Sequence, residues 1–287
     1  MTDVLYARAV VGAVMSVLLA AGGYRKKSLN KSGAFAALFV GFITCLAGFR
    51  TTITLLLFFF SSSYLTKLKA KEKRKIEENF KEGGQRNWVQ VVTNGGTGTL
   101  LCLLYICLVG ETEYHIDFDN NLTASLLLTA FLGHYACCNG DTWASEVGVL
   151  SSGRPLLLTT GKRVPKGTNG GVSALGYIAC LMGGLFLGIF FYLSGWWFCG
   201  VEHVHVPQWP LILLGAFAGV VGSTIDSLLG AWFQYSGFCE NQKKVVSRPG
   251  PGVKHITGME LLTNEQVNFL SALLTSLLTA GCAYYVM

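Results

Sequence analysis

The segment Val172–Ser194 reads VSALGYIACLMGGLFLGIFFYLS and contains no Asp, Glu, Lys or Arg. A bilayer core about 30 Å thick needs about 20 mostly apolar residues per helix, so this segment is long enough to cross a membrane. Further apolar segments occur at Val4–Gly23, Gly33–Phe49, Thr51–Thr66, Thr93–Gly110, Leu122–Cys138, Trp209–Tyr235 and Gln266–Met287. The sequence therefore predicts an all-α, polytopic membrane helix bundle with about eight transmembrane helices.

The number of predicted spans has a range of seven to nine, because Gly33–Phe49 and Thr51–Thr66 are short and only Arg50 separates them. One kinked or re-entrant element in this region is the alternative to two helices. The composition excludes a soluble protein, since only 13% of residues are charged against about 25% in a soluble globular chain. We therefore interpret residues 1–287 as a single integral-membrane helical domain whose first partner is the lipid bilayer.

The cations occupy alternate connections between the apolar segments. Apart from Arg8 and Arg50, all of the 22 Lys and Arg lie in four basic segments. These are Arg25–Lys31, Lys67–Arg86, Arg154–Lys166 and Lys243–Lys254. The positive-inside rule places such segments in the cytosol. It predicts a polar cytosolic face with loops near 67–90, 139–171 and 236–265, and both termini on the opposite side.

The net charge of +6 follows from this topology and does not indicate a nucleic-acid partner. The run Lys67–Lys75, interleaved with glutamates, predicts a solvated cytosolic helix. The endoplasmic reticulum is the default organelle for such a chain, and the oligomeric state stays open.

Acidic side chains follow the fifth apolar segment in the stretch Asn139–Gly148, NGDTWASEVG. Asp141 and Glu146 supply the hard oxygen ligands that Mg²⁺ prefers. In a regular helix, a rotation of about 100° per residue places Glu146 about 140° from Asp141. Both carboxylates can therefore hold one ion only if the backbone unwinds near Gly140 or if other groups intervene.

A cationic and glycine-rich stretch leads into the sixth segment. Lys162 and Lys166 precede the sequence GTNGG at Gly167–Gly171. Backbone N–H groups in such a turn, next to a helix start, form an anion site. Carboxylates, cations and a phosphate cradle are the parts that phosphoryl transfer requires. The alternative is a polar loop with ordinary turn glycines. The predicted nucleotide- or phosphate-binding residues are Asn94, Ser145, Lys162, Lys166, Gly167, Thr168, Asn169, Gly170 and Gly171.

Two further polar positions lie in or beside spans. Asp226 shares one helical face of the seventh segment with small residues, and a carboxylate at that depth needs a partner, a metal or a proton. The alternative is a hydrogen-bonded structural Asp. Asn94 precedes Gly95 and Gly96, which permit close approach of a ligand; the alternative is that Thr93 or Asn94 caps the helix start.

The motifs resemble those of a known family. They are Glu82–Asn87 (EGGQRN) with Gln90 and Asn94, Gly140–Glu146 (GDTWASE), Gly167–Gly171, and Gly222-Ser223 with Asp226-Ser227. Together they resemble the integral-membrane family of animal transmembrane protein nineteen and plant phytyl-phosphate kinase. More distantly, the Gly140 motif is similar to CTP-dependent polyprenol kinases. Those enzymes carry K-S-x-E-G downstream, whereas Lys166–Gly170 contains no Glu.

The resemblance implies a kinase that transfers a phosphoryl group from a nucleoside triphosphate, with CTP favoured, to an isoprenyl monophosphate of the phytyl or geranylgeranyl type. For such an activity, the candidate catalytic residues are Asp141, Lys162 and Asp226, and the candidate Mg²⁺ ligands are Asp141, Glu146 and Asp226. Two alternatives remain at this point. One is a transporter or ion-coupled carrier that uses Asp226 and glycine-broken helices, and the other is a non-catalytic scaffold.

Overall fold

The computed structural model describes residues 3–68, 85–199 and 206–287, and within these ranges eight helices dominate. They are α1 (Asp3–Arg25), α2 (Lys31–Ala47), α3 (Phe49–Leu68), α4 (Trp88–Leu108), α5 (Leu122–Gly148), α6 (Ala174–Phe198), α7 (Pro210–Phe233) and α8 (Asn264–Val286). Each predicted apolar segment overlaps one helix, which confirms the membrane helix bundle. Among the described helices, six are long and apolar enough to cross a membrane, and α2 is a shorter apolar helix.

The start of α4 differs from the prediction. Asn87 accepts a hydrogen bond from the Gln90 backbone N–H, and the Gln90 side chain accepts one from the Asn87 N–H. This capping box begins the helix at Trp88, five residues before Thr93. Asn94 therefore lies inside a helix, and the interpretation of Thr93 or Asn94 as a cap is wrong.

α2 and α3 are separate helices that meet at Gly48. The Glu113 carboxylate accepts hydrogen bonds from the backbone N–H groups of Phe49 at 2.8 Å and Arg50 at 3.1 Å, which satisfies the first turn of α3. Arg8 on α1 pairs with the same carboxylate at 2.9 Å. Glu113, which is distant in sequence, therefore stabilises the break between α2 and α3. The region forms two helices and not one kinked element.

The first turns of α1 and the last turns of α8 lie beside the connection between α4 and α5. Arg8 donates to the backbone oxygen of Glu111 at 2.7 Å, and the ring of Tyr284 in α8 contacts that of Phe118 at 5.5 Å. The described residues of the basic segments lie at the other end of the bundle, which we call the basic end. That the basic end faces the cytosol stays a prediction, as does the organelle.

Glycines bring the backbones of α5, α6 and α7 into contact. A Cβ atom added to Gly140 of α5 would lie 2.8 Å from the Cα atom of Gly219 in α7. A Cβ atom on Gly219 would lie 2.9 Å from the Cα atom of Gly184 in α6. Such contact requires small residues on all three helices. The interface positions the end of α5 against α7.

Gly219→Ala is expected to destabilise the bundle by about 1–3 kcal/mol, because the added methyl group overpacks this interface. The measurement is the thermal unfolding midpoint in detergent. Gly281→Ala is the matched control, since it also lies in a helix but a Cβ atom there meets nothing within 4 Å. That control should be neutral or stabilising by up to about 1 kcal/mol. Equal midpoints for both variants would contradict the close packing.

Two small sheets lie at the basic end. β1 (Leu156–Leu157) pairs with β2 (Gly171–Val172), and β3 (Ser236–Cys239) is central between β4 (Lys244–Val246) and β5 (Val253–Thr257), all antiparallel. An apolar cluster joins both sheets to the end of α7; its members are Leu157, Val164, Ala231 and Ile256.

The structure corrects two of the predicted loops. The loop near 139–171 begins only after Gly148, because α5 continues ten residues beyond Cys138. The loop near 236–265 contains β3, β4 and β5. Most of the third predicted loop, near 67–90, and the solvated helix expected at Lys67–Lys75 lie outside the described residues.

Candidate functional site

Two carboxyl groups, one on α5 and one on α7, lie near each other at the basic end. The contact between Gly140 and Gly219 brings Asp141 beside the last turns of α7. There the Ser223 hydroxyl donates to Asp141 Oδ1 at 3.3 Å. Asp226 follows Ser223 by three residues, and its carboxylate interacts electrostatically with that of Asp141. We call Asp141 and Asp226 the carboxylate pair.

α8 holds the Asp226 side chain. The Ser271 hydroxyl donates to Asp226 Oδ2 at 3.1 Å. The Asn268 side-chain amide is oriented with its nitrogen toward two acceptors, since the reverse orientation would point its oxygen at them. In this orientation the nitrogen donates to the same oxygen at 3.2 Å and to the Asn264 backbone oxygen at 2.9 Å. Two adjacent carboxylates repel when both are ionised, so the pair favours a cation or a proton between them. Carboxylate oxygens are suitable ligands for Mg²⁺.

The Gly167–Gly171 segment, which we call the glycine loop, lies against the end of α7. Gly167 and Gly170 have φ angles of 88° and 74°, in the left-handed region that favours glycine. A Cβ atom on Gly170 would lie 2.6 Å from the Ser227 backbone oxygen. Since Ser227 directly follows Asp226, the glycine loop packs against the α7 backbone next to one member of the carboxylate pair.

Most N–H groups of the glycine loop already have protein acceptors. Thr168 donates to the Pro165 oxygen, Asn169 to the Ser236 hydroxyl and Gly171 to the Thr168 oxygen, at 3.3, 3.0 and 3.0 Å. The Asn169 side chain donates to the Tyr235 backbone oxygen. The loop is therefore a braced turn, and it differs from the open cradle of N–H groups that the sequence predicted. Within the glycine loop, only the N–H groups of Gly167 and Gly170 remain for an anion.

The predicted cations are placed differently from one another. Lys166 Nζ donates to the backbone oxygens of Val149 and Ser151 at 3.1 and 2.5 Å, so it ties down the end of α5. That role differs from the predicted contact with phosphate. Lys162 is exposed in the turn after β1. Ser145 is exposed one turn beyond Asp141, with its hydroxyl on the Thr142 oxygen at 3.0 Å.

Glu146 does not join the carboxylate pair. α5 is continuous through Gly140, so the backbone does not unwind there. Glu146 is 3% exposed, and its Oε1 accepts from the Thr66 hydroxyl of α3 at 2.9 Å. Among the described residues, no group of three or more His, Cys, Asp or Glu is placed to hold a metal ion. The expectation that Glu146 shares one ion with Asp141 and Asp226 is therefore not met by this geometry.

Arg86 faces Glu146 from the segment before α4. Its backbone N–H donates to the Ser28 oxygen and its own oxygen accepts from the Asn30 N–H, both at 3.0 Å. Its guanidinium donates to the Ser63 hydroxyl of α3 at 3.0 Å. Burial lowers the pKa of Arg86, and the Glu146 carboxylate raises it. An arginine remains charged in either case.

Asn94 packs against α5 at His134 and Cys138, in the turns that precede Asp141. Its backbone oxygen accepts a hydrogen bond from Nε2 of the buried His134 at 2.8 Å and a weak one from the Cys138 thiol at 3.8 Å. Asn94 also lines a pocket between α1, α2, α3 and α4. The structure does not bring Asn94 into contact with the glycine loop.

Residues 14–276 match the family model "Integral membrane protein DUF92". The chain belongs to this family. It is 45% identical to Protein PGR of Arabidopsis thaliana over 280 residues, which cover 97% of each chain. It is 27% identical to Protein VTE6, chloroplastic, of the same plant over 207 residues, 72% of this chain and 56% of that one. An uncharacterized membrane protein of Methanocaldococcus jannaschii is 28% identical over 221 residues, 76% of this chain and 80% of that one. No solved structure matches.

Membership in this family confirms the resemblance that the motifs indicated, and it supports an integral membrane protein with several spans. The positions that sequence reasoning missed lie mainly on α8, where Asn268 and Ser271 hold Asp226. A signal was present, because Asn264, Asn268, Ser271 and Thr275 recur at spacings of four and three residues along one face of an apolar helix. Polar residues on such a face are costly in lipid and indicate a polar partner.

Proposed function

We propose that the protein is a membrane-embedded kinase that phosphorylates an isoprenyl monophosphate, of the phytyl or geranylgeranyl type, to the diphosphate. The observation that carries this proposal is the carboxylate pair, Asp141 and Asp226, beside the glycine loop at the basic end. The resemblance of the same motifs to the phytyl-phosphate kinase family supports it. That resemblance also favours a nucleoside triphosphate donor, CTP before ATP.

The side chains of the carboxylate pair fit Mg²⁺. Asp141 and Asp226 offer oxygens from two helices, and Mg²⁺ commonly takes one or two carboxylates together with water and substrate phosphates. Bound there, the ion would supply charge neutralisation for the transferred phosphoryl group. Ser223 orients Asp141, and Ser271 and Asn268 orient Asp226. Glu146, turned toward Thr66, has no place in this ligand set.

The reaction needs no strong general base. The attacking atom is an oxygen of the lipid phosphate, which is already anionic at neutral pH. It forms a bond to the γ-phosphorus as the bond to the β–γ bridging oxygen breaks, and the nucleoside diphosphate leaves. The chain's task is to position the two anions and to offset their charge. The N–H groups of Gly167 and Gly170, with the exposed Lys162, are the groups that would receive donor phosphates. Ser145, Thr168 and Asn169 would shape that side of the site.

The direct test is product formation by the purified protein in nanodiscs. Geranylgeranyl monophosphate, Mg²⁺ and γ-labelled CTP or ATP should yield labelled geranylgeranyl diphosphate, and omission of Mg²⁺ should remove the product. The absence of labelled diphosphate with every donor tried would contradict the proposal. If substrate-dependent ion flux in proteoliposomes accompanied that absence, the carrier interpretation would replace it.

A further inference from the structure

A second group of polar residues near the basic end, Arg86, Gln90 and Asn94, lines one part of an apolar pocket, which we call its mouth. The pocket runs between α1, α2, α3 and α4 and is lined mainly by aliphatic and aromatic side chains. Leu19, Ala37, Val40, Leu55 and Phe59 represent its walls. Its polar lining groups are Arg86, Gln90 and Asn94, with Ser16 farther along α1. The pocket therefore combines apolar walls with a small group of polar side chains, three of them before or within the first turns of α4.

The mouth of this pocket carries excess positive charge among the described residues. Arg86 lines the pocket, and beside it Lys67 Nζ donates to the Lys26 backbone oxygen at 2.7 Å, so three cations lie near one another. Glu146 is the carboxylate that acts on Arg86. Arg86 is fixed by its backbone bonds to Ser28 and Asn30 and by its bond to Ser63. Its guanidinium is thus held at one place in the pocket lining.

The pocket borders the helix that carries the catalytic Asp141. Asn94 lines the pocket, and its backbone oxygen contacts His134 and Cys138 of α5. Asp141 follows Cys138 by three residues, about one helical turn toward the basic end. The part of the pocket lined by Asn94 therefore adjoins α5 about one turn before Asp141.

We propose that this pocket binds the isoprenyl chain of the monophosphate acceptor, with its phosphate on Arg86 and beside Gln90 and Asn94. This inference rests on the proposed function and names the substrate subsite that serves it. Apolar walls match the hydrocarbon chain, and the excess of cations at the mouth matches a phosphate dianion. A guanidinium binds phosphate through two parallel hydrogen bonds, which a neutral lipid cannot use.

Equilibrium binding of labelled geranylgeranyl monophosphate, without nucleotide or Mg²⁺, tests the subsite apart from catalysis. The wild-type protein in nanodiscs should bind it saturably. Arg86→Gln should weaken binding by at least about tenfold, since a hydrogen bond to a charged group contributes about 1.5–3 kcal/mol. Arg154→Gln is the matched control, because Arg154 is an exposed cation at the same end outside the pocket. It should bind like the wild type.

A second variant tests the chain-binding wall and does not alter charge. Ala37→Phe adds a ring inside the pocket, and it should weaken geranylgeranyl monophosphate binding by about tenfold or more. Five-carbon isopentenyl monophosphate, which needs only the mouth, should bind this variant like the wild type. Ala36→Phe adds the same ring at the neighbouring position outside the pocket lining and should leave both affinities unchanged.

The outcomes separate the subsite from the proposed function. Chain-length-dependent loss in Ala37→Phe together with loss in Arg86→Gln supports the subsite, even if the wild type forms no diphosphate; the kinase proposal alone would then fail. Diphosphate formation with an unchanged KM in both variants would overturn the subsite and leave the kinase proposal intact. If Arg86→Gln does not fold because Glu146 loses its cation, the binding affinities of Arg86→Lys and Ala37→Phe test the subsite instead. Normal affinity in Ala37→Phe would overturn the subsite.

Discussion

Asp141→Asn is expected to lower the rate of diphosphate formation by at least about 10²-fold while the bundle stays folded. Asn has the shape of Asp, so the Ser223 hydroxyl, 3.3 Å from Asp141 Oδ1, can still donate to the side-chain oxygen. The substitution replaces one of two interacting carboxyl groups by a neutral amide. Repulsion with Asp226 falls, so the thermal midpoint should stay level or rise as activity disappears.

The measurement for Asp141→Asn is the initial rate of labelled diphosphate formation, with the unfolding midpoint recorded on the same sample. Asp119→Asn provides the matched control, since it makes the same change at an exposed position beside the opposite end of the bundle. That control should keep both the rate and the midpoint of the wild type. A rate for Asp141→Asn above about one-tenth of the wild type would contradict a metal-binding role, because removal of a supporting group alone costs about 10–100-fold.

Gly170→Ala is expected to displace the glycine loop and to lower the rate of transfer by at least about tenfold. The residue has φ 74°, and an added Cβ atom would lie 2.6 Å from the Ser227 oxygen and 3.0 Å from the Ala231 Cα atom. These are backbone atoms of α7, so the loop must move away from the residue that follows Asp226. The left-handed backbone alone costs about 1–2 kcal/mol with a Cβ atom.

Gly161→Ala separates these two effects. Gly161 has φ 66°, but a Cβ atom there meets nothing within 4 Å. It should therefore lose about 1 kcal/mol of stability from backbone strain and keep its transfer rate. The comparison uses the rate and the KM for the nucleotide in both variants. If Gly170→Ala and Gly161→Ala had equal rates, contact between the glycine loop and α7 would not matter for transfer.

The helices were predictable because lipid imposes a strong compositional signal on each span. The residues at which the helices begin and end near the basic end were harder to predict, because polar residues there form hydrogen bonds with partners distant in sequence. Asn139 was expected to leave the helix, yet it is fully buried in α5. Its side chain accepts from Ser61 at 2.8 Å and donates to the Gly183 oxygen at 2.8 Å. Such bonds between α3, α5 and α6 keep a polar residue inside a helix.

The candidate site was partly predictable for a similar reason. Helical geometry indicated that Asp141 and Glu146 face different ways, and the structure shows that they do. The partner of each carboxylate could not be predicted, because it depends on how the helices pack. Lys166 shows the same limit: its charge suggested a phosphate contact, whereas the fold places its amine on the carbonyls after α5.

The central claim is that the protein transfers a phosphoryl group to a lipid phosphate at the carboxylate pair. A single-turnover experiment tests this claim most directly. Purified protein in excess over γ-labelled CTP, with Mg²⁺ and geranylgeranyl monophosphate, is sampled over time for label in the lipid. The wild type should move the label into geranylgeranyl diphosphate, and Asp141→Asn and Asp226→Asn should not. The claim is contradicted if the label stays in the nucleotide or appears only as inorganic phosphate, or if either variant transfers it as fast as the wild type.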